Sequence, residues 1–231
     1  MDFWDLIFPP KCAGCGKQGS YFCSKCLLTI KEATQICPVC ERPNLFGQTH
    51  NSCLTKTSPD GLFSFFVYDG IIKDAIHKLK YKFITDLEKD LWQIIKKSLC
   101  QRGEEMKFLN KFISQEKPVI APIPLYWYKE HLRGFNQSLL IGKRFAGSFR
   151  LTVVDNFLVR KKNSVSQTKL SQEEREKNVK GIFHCSPVIH NTKFNILLVD
   201  DVWTTGATMK EATGVLKEAG VKKVWGLTVA R

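Results

Sequence analysis

Residues 196–208 read Ile196-Leu197-Leu198-Val199-Asp200-Asp201-Val202-Trp203-Thr204-Thr205-Gly206-Ala207-Thr208. Four consecutive apolar residues predict a strand buried on both faces, the pattern of a parallel sheet. Two acids stand at its C-terminal end, and a short loop of hydroxyls and glycine follows. A helix is then predicted, with Met209, Ala212, Val215, Leu216 and Ala219 on one face and Gly220 ending it. Val224-Trp225-Gly226-Leu227-Thr228-Val229 predicts a second strand. The result is a β-α-β unit whose loop lies at the carboxyl edge of an α/β sheet, where such sheets bind ligands.

The chemistry expected of that loop follows from its residue types. Backbone N–H groups from Thr204 through Thr205, Gly206 and Ala207 to Thr208 can ring a phosphate at the helix N-terminus, where the helix dipole favours an anion. Gly206 lets the backbone approach, and the threonine hydroxyls add donors. Asp200 and Asp201 would repel a phosphate set on top of them, so they suit ribose hydroxyls or a Mg2+ held by the same ligand. Phosphate beside ribose implies a ribose 5-phosphate. The competing explanation is an ordinary strand–turn–helix with a capping threonine, but the acid pair followed by Thr-Thr-Gly-x-Thr is far more specific than a lone glycine motif.

Outward from this unit, the N-terminal quarter is built differently. Cys12-x-x-Cys15 and Cys23-x-x-Cys26 are followed by Cys37-x-x-Cys40 and His50-x-x-Cys53, so the second half repeats the first. Two residues between two ligands let a tight turn aim both side chains at one ion, and two such turns complete a tetrahedron. Two closed, structural zinc sites are therefore expected: Cys12, Cys15, Cys23 and Cys26 in one, Cys37, Cys40, His50 and Cys53 in the other. Buried thiols or disulfides are the alternative, and four such spacings in a row argue against it. A cross-braced pairing of the ligands stays open. The expected organisation is a zinc-binding module over 1–57 and an α/β domain over 58–231, joined near Ser58-Pro59-Asp60-Gly61.

Of the nine cysteines in the 231 residues, seven lie in that module. With 43% hydrophobic and 25% charged residues the chain can bury a core and is not a disordered polymer. It has no apolar run long enough to cross a membrane, and its first residues lack the pattern of a secretory signal, so a reducing, cytoplasmic setting is expected. The formal net charge is +13. Residues 116–195 carry fourteen bases against six acids, which is +8 of that total. Seven zinc-bound thiolates (−7) and two Zn2+ (+4) would lower the total by 3, to +10. Scattered charge would mean only solubility, whereas a local excess suits a polyanion. Trp127 and Tyr128 lie in this basic third, where bases can stack on them. The stripes Ile71, Ile72, Ala75, Ile76, Leu79 and Leu87, Leu91, Ile94, Ile95, Leu99 predict two core-facing helices. Trp203, inside the phosphate loop, is expected to face a ligand or stack on a base.

Residues 196–208 resemble the binding signature for 5-phosphoribosyl-1-pyrophosphate (PRPP) in type I phosphoribosyltransferases. Other segments resemble one branch of that superfamily, the ComF/GntX-like family. They include Phe8-Pro9-Pro10-x-Cys12 with the double cysteine cluster, Tyr68-x-Gly70, Leu79-Lys80-Tyr81, and His131-Leu132-Arg133-Gly134-Phe135-Asn136-Gln137. Arg160, Gln167, Leu170, Arg175, Asn178, Gly181 and Phe183 fall in its central spacing. His50 stands where that family usually has cysteine, a change that keeps zinc. Ser164 and Lys169 also depart from its pattern.

The resemblance covers essentially the whole chain. It implies an α/β fold of the type I phosphoribosyltransferase kind, a parallel sheet flanked by helices, with the small zinc module at its N-terminus. It implies that Asp200 and Asp201 bind the ribose hydroxyls, that Thr204 to Thr208 bind the 5-phosphate, and that Mg2+ accompanies PRPP or another phosphoribosyl compound. Val119-Ile120-Ala121-Pro122-Ile123-Pro124-Leu125 falls at the place of the pyrophosphate loop, with Pro122, Ile123 and Pro124 in the turn. Arg133, Asn136 and Gln137 follow as candidates for holding pyrophosphate or an acceptor, and Arg160, Gln167, Arg175 and Asn178 as candidates around a closing loop. The family also implies a role in handling single-stranded DNA during natural transformation or DNA utilisation, with DNA-uptake or helicase machinery as partners. The alternative is an active transferase moving ribose 5-phosphate from PRPP to an acceptor.

Overall fold

The computed structural model describes residues 9–81, 85–162, 174, 178–189 and 194–231. Its centre is a sheet of four parallel strands, β1 (Gly61–Phe66), β2 (Val119–Pro122), β5 (Ile196–Val202) and β6 (Val224–Ala230), in the order β1-β6-β5-β2. A two-stranded antiparallel ladder, β3 (Leu158–Arg160) with β4 (Phe183–Cys185), stands apart from it. The helices are α1 (Ser24–Leu27), α2 (Gly70–Tyr81), α3 (Thr85–Gln101), α4 (Gly103–Glu116), α5 (Trp127–Arg133), α6 (Gln137–Phe149) and α7 (Ala207–Glu218).

Successive side chains of a strand point to opposite faces, and the sheet is apolar on both. Leu197 and Val199 join Ile120, Phe63, Phe65, Leu227 and Val229 in one core, closed by the α2 stripe, the α3 stripe, Phe112 of α4 and Phe145 of α6. Ile196 and Leu198 join Val119, Ala121, Leu62 and Val224 in the other, closed by Met209, Ala212 and Leu216 of α7 and by Leu158 and Phe183 of the small ladder. The two predicted helical stripes thus face the core, with Ile94 at its margin.

Open sheets expose unpaired backbone at both edges. At the β2 edge, residues 152–154 lie alongside: Ile120 N–H donates to the Thr152 carbonyl at 2.8 Å, and Val154 N–H to the Ile120 carbonyl at 2.9 Å. At the β1 edge the cysteine-rich segment takes the same role. Ala33 N–H donates to Phe65 (3.0 Å), Val67 N–H to Lys31 (2.9 Å) and Leu62 N–H to Gly47 (2.8 Å). Between these contacts, the buried Gln35 side chain stands in for a strand. Its Nε2 donates to the Ser64 carbonyl at 2.9 Å, and its Oε1 accepts from Ser64 N–H at 3.0 Å. Cys12, Ala13 and Phe22 belong to the same core as Phe63 and Leu197, so this segment is packed onto the sheet.

Replacing Gln35 with Leu is expected to leave both Ser64 backbone groups without partners in a dry site. Urea unfolding should show a loss of about 1–3 kcal/mol; an unchanged midpoint would mean that the edge is closed by other means.

Candidate functional site

The cysteine-rich segment forms two knuckle pairs. In the first, Cys12 N–H donates to Lys17 (2.8 Å) and Gly16 N–H to Cys12 (3.0 Å); in the second, Cys37 N–H donates to Arg42 (2.9 Å) and Glu41 N–H to Cys37 (2.9 Å). Both turns need a left-handed residue directly after the second cysteine, and Gly16 (φ 76°) and Glu41 (φ 59°) supply it. These turns gather Cys12, Cys15, Cys23 and Cys26 into one cluster and Cys37, Cys40, His50 and Cys53 into another. Within each, the four ligand atoms lie within 4.8 Å of one another. The pairing is sequential, which decides the point that spacing left open.

Close thiols also perturb each other. Burial raises the Cys12 thiol, but backbone N–H groups of Cys23, Cys15 and Gly14 outweigh that and bring it to about 6; Cys26, hydrogen-bonded to Cys23, is pushed up to about 12. Soft thiolates plus one imidazole, four to a cluster with no open position, fit structural Zn2+.

The second cluster of charged groups lies at the carboxyl edge of the sheet. Asp200 and Asp201 end β5, and the next-door strand ends lead into α2 and the loop before α5. Asp201, 8% exposed, pairs with Lys80 of α2 at 2.7 Å. Asp200 accepts from Ser138 Oγ of α6 at 3.0 Å. Burial and the neighbouring Asp201 charge push the Asp200 carboxyl up to about 7, against the pull of Lys80. Burial lowers Lys80, but the charges of Asp201 and Asp200 more than offset it, so its ammonium lies above its ordinary value.

Further cations surround this centre. Arg160 of β3 is depressed by burial and supported by Asp200, with Arg133 opposing. Lys129 of α5 is depressed by burial and by Arg160, Arg133 and Lys80. Lys80, Lys129, Arg133 and Arg160 are therefore electrostatic neighbours around two carboxylates. The helix that starts at Gln137 is tied to the same place. Asn136 caps it, accepting from Ser138 N–H at 3.0 Å, and donates from Nδ2 to the Ile123 carbonyl at 3.0 Å. Arg133 donates to Gln137 Oε1 at 3.2 Å, while Gln137 Nε2 is buried with no hydrogen-bond partner. Ile123 N–H donates to the Val199 carbonyl at 2.8 Å, which holds the Pro122-Ile123-Pro124 turn beside the end of β5.

The phosphate-loop segment is a strand–turn–helix: Gly206 (φ 70°) is the N-cap of α7, and Ala207 N–H approaches Thr205 Oγ1 at 3.4 Å. Thr204 is exposed, and Thr205 and Thr208 are half-buried. Trp203 corrects the expectation set for it. It is 3% exposed and lies under Gly206, where a Cβ would come within 2.1 Å of the indole. It is a packing residue that demands glycine at 206, not a ligand-facing ring.

The structure thus brings Asp200, Asp201, Arg133, Asn136, Gln137, Arg160 and the Pro122–Pro124 turn to one sheet edge. Asn178 is described and half-buried. Gln167 and Arg175 lie outside the described residues, as do Ser164 and Lys169. Lys80 and Ser138, the direct partners of the acid pair, were not singled out as site residues from sequence. The available signal was a lysine that ends an otherwise buried helical stripe, at Leu79-Lys80.

A family model described as "Double zinc ribbon domain" matches residues 3–55. Competence protein F of Haemophilus influenzae is 34% identical over 116 residues, 48% of this chain and 50% of that protein, so the match spans half the length of that relative. The DNA utilization protein YhgH of Salmonella typhimurium is 25% identical over 211 residues, 89% of this chain and 88% of that protein. Competence protein ComFC of Bacillus subtilis is 24% identical over 212 residues, 86% and 78% of the two chains. Fold and metal clusters define the class: a zinc-ribbon segment built onto a parallel α/β sheet. Within that class the chain belongs to the ComF family.

Metal analysis of the purified chain is expected to find two zinc ions per molecule, and His50→Cys should retain both; fewer than one per chain would remove the assignment. A second expectation concerns pH. Unfolded, Asp200 releases its proton near its ordinary 3.8, and folded near 7. Between those values the folded state holds the extra proton, so this group lowers stability as pH rises. Asp200→Asn should leave stability unchanged near pH 4 and raise it by at least about 1 kcal/mol at pH 8 in the presence of chelator. Equal gains at both pH values would contradict the assigned cause.

Proposed function

We propose that this chain handles single-stranded DNA during uptake or utilisation, on a phosphoribosyltransferase-like domain with a PRPP-type pocket. The observation that carries the reading is the set of four cations, Lys80, Lys129, Arg133 and Arg160, gathered around Asp200 and Asp201. Two crowded carboxylates suit ribose hydroxyls or a Mg2+ that relieves their repulsion, and the cations suit the phosphates of the same ligand. The fit to Mg2+ rests on that repulsion, which already drives Asp200 upward. In this reading, Asp200 and Asp201 hold the ribose or the metal. Residues 204–208 hold the 5-phosphate, and Arg133, Gln137 and Arg160 meet the remaining phosphates. Gln167, Arg175 and Asn178 belong to the loop beside the pocket.

The zinc-binding segment to residue 57 serves as a staple for the sheet edge, and residues 58–231 carry the ligand chemistry. The relatives named for competence and DNA utilisation support the DNA role. Residues 116–195, with their +8, supply the field. No described helix is long and apolar enough to cross a membrane, and we place the protein in the cytoplasm, on incoming strands, beside uptake or helicase machinery.

Transfer of the phosphoribosyl group is the second reading, and Asp200 favours it, since a carboxyl titrating near 7 can take up or release a proton at working pH. Mg2+-dependent release of pyrophosphate from PRPP, with any acceptor from a panel of nucleobases and amines, would support transfer; none across the panel would count against it.

Calorimetric titration tests the main reading. PRPP should bind only with Mg2+, and Arg160→Ala should weaken it at least tenfold. A single-stranded oligonucleotide should bind with an affinity that falls linearly in log–log form with salt. Reversing the exposed Lys161 and Lys162 to Glu should lower low-salt affinity and reduce the slope by about 1. No strand binding at low salt would end the DNA reading.

A further inference from the structure

Helix α5 (Trp127–Arg133) buries none of its residues. Three of its seven are large and apolar, and all three face solvent: Trp127 is 65% exposed, Tyr128 48% and Leu132 54%. Leaving such side chains contiguous and uncovered marks an interaction surface. The aromatic rings are ordered against one another. Tyr126 and Trp127 have centroids 5.7 Å apart, and Trp127 and Tyr128 are edge-to-face at 5.8 Å.

On a helix, residues four apart share a stripe. Tyr128 and Leu132 form one stripe, and Lys129 and Arg133 form the stripe beside it. The cations are half-buried at the foot of the exposed rings. Lys129 also feels Lys80, which is paired with Asp201. The aromatic surface therefore continues, through shared cations, into the pocket at the sheet edge. Flat rings accept any base, and cations within the same turn accept the phosphates between bases; together these are what a single strand requires.

We infer that α5 is the base-stacking edge of a path for single-stranded nucleic acid. Trp127 and Tyr128 each take a base, Lys129 and Arg133 take the adjoining phosphates, and the strand competes with the pocket's phosphorylated ligand for those cations. This rests on the reading that the chain handles single strands.

Among the described residues Trp127 is the exposed tryptophan, whereas Trp92, Trp203 and Trp225 are buried. The test is titration of the full, zinc-loaded chain at low salt with an oligothymidine, followed by tryptophan emission and by polarisation of a labelled strand. Binding should quench the emission. Trp127→Phe should bind within a few-fold of wild type while losing most of the quench. Trp127→Ala with Tyr128→Ala should lose at least tenfold in affinity while keeping its circular dichroism and zinc content. Pyrophosphate with Mg2+ should raise the apparent Kd of the wild type. Wild-type affinity in the double variant overturns the inference and leaves the DNA reading standing. No binding by the wild type overturns both. An unshifted Kd with pyrophosphate overturns the shared cations. Quenching by phosphatidylglycerol vesicles with none by the oligonucleotide assigns the surface to membrane and overturns the inference.

Discussion

Two acids at consecutive positions on the end of one buried strand must point in different directions, because side chains alternate across a sheet. Each needs its own partner, and neither partner is local. Asp201 takes Lys80 from the end of α2, and Asp200 takes Ser138 from the first turn of α6. Satisfying both fixes two helices against the same strand end. It also draws in what those helices carry: Asn136 and Gln137 at the start of α6, and through Asn136 the Ile123 turn. The charged centre is thus a point where the sheet and helices from both halves of the sequence are tied together. Its cost appears as the raised Asp200 carboxyl, a repulsion that a bound cation or hydroxyl-bearing ligand would relieve.

The zinc clusters answer a different need. A segment of this length cannot bury enough apolar surface to fold by itself, and metal ligation supplies the missing free energy. Once folded, it closes the β1 edge of the sheet with backbone hydrogen bonds and with the Gln35 side chain. Cys12, Ala13 and Phe22 join the main core, so loss of zinc would be felt as an uncovered sheet edge as well as a lost knuckle. The ribbon reaches the ligand edge too, where Lys210 donates to the Thr205 carbonyl at 3.2 Å and lies 4.0 Å from Glu41, the residue that follows a zinc ligand.

Much was legible in the chain because it obeys short-range rules. The Ile196–Val199 run, the Met209–Ala219 stripe and the two helical stripes from Ile71 and Leu87 each carry a periodicity that only one kind of element satisfies. The four paired ligand spacings belong to the same class, since a turn of two residues decides where two side chains point. Trp203 was misjudged for a long-range reason. Whether an indole in a loop faces solvent depends on what lies above it, and Gly206 in a left-handed conformation folds the loop over it.

Sequence alone determined the zinc ligands, the β-α-β unit and the acid pair, because each is encoded within a dozen or so residues by spacing and period. Only the tertiary structure decided the sequential grouping of the ligands and the burial of Trp203. It also assembled Lys80, Lys129, Arg133 and Arg160, from two helices and a distant strand, around Asp200 and Asp201. Charges so far apart in the chain have no local signature. They become one site only when the parallel sheet brings its strand ends, and the loops that leave them, to a common edge.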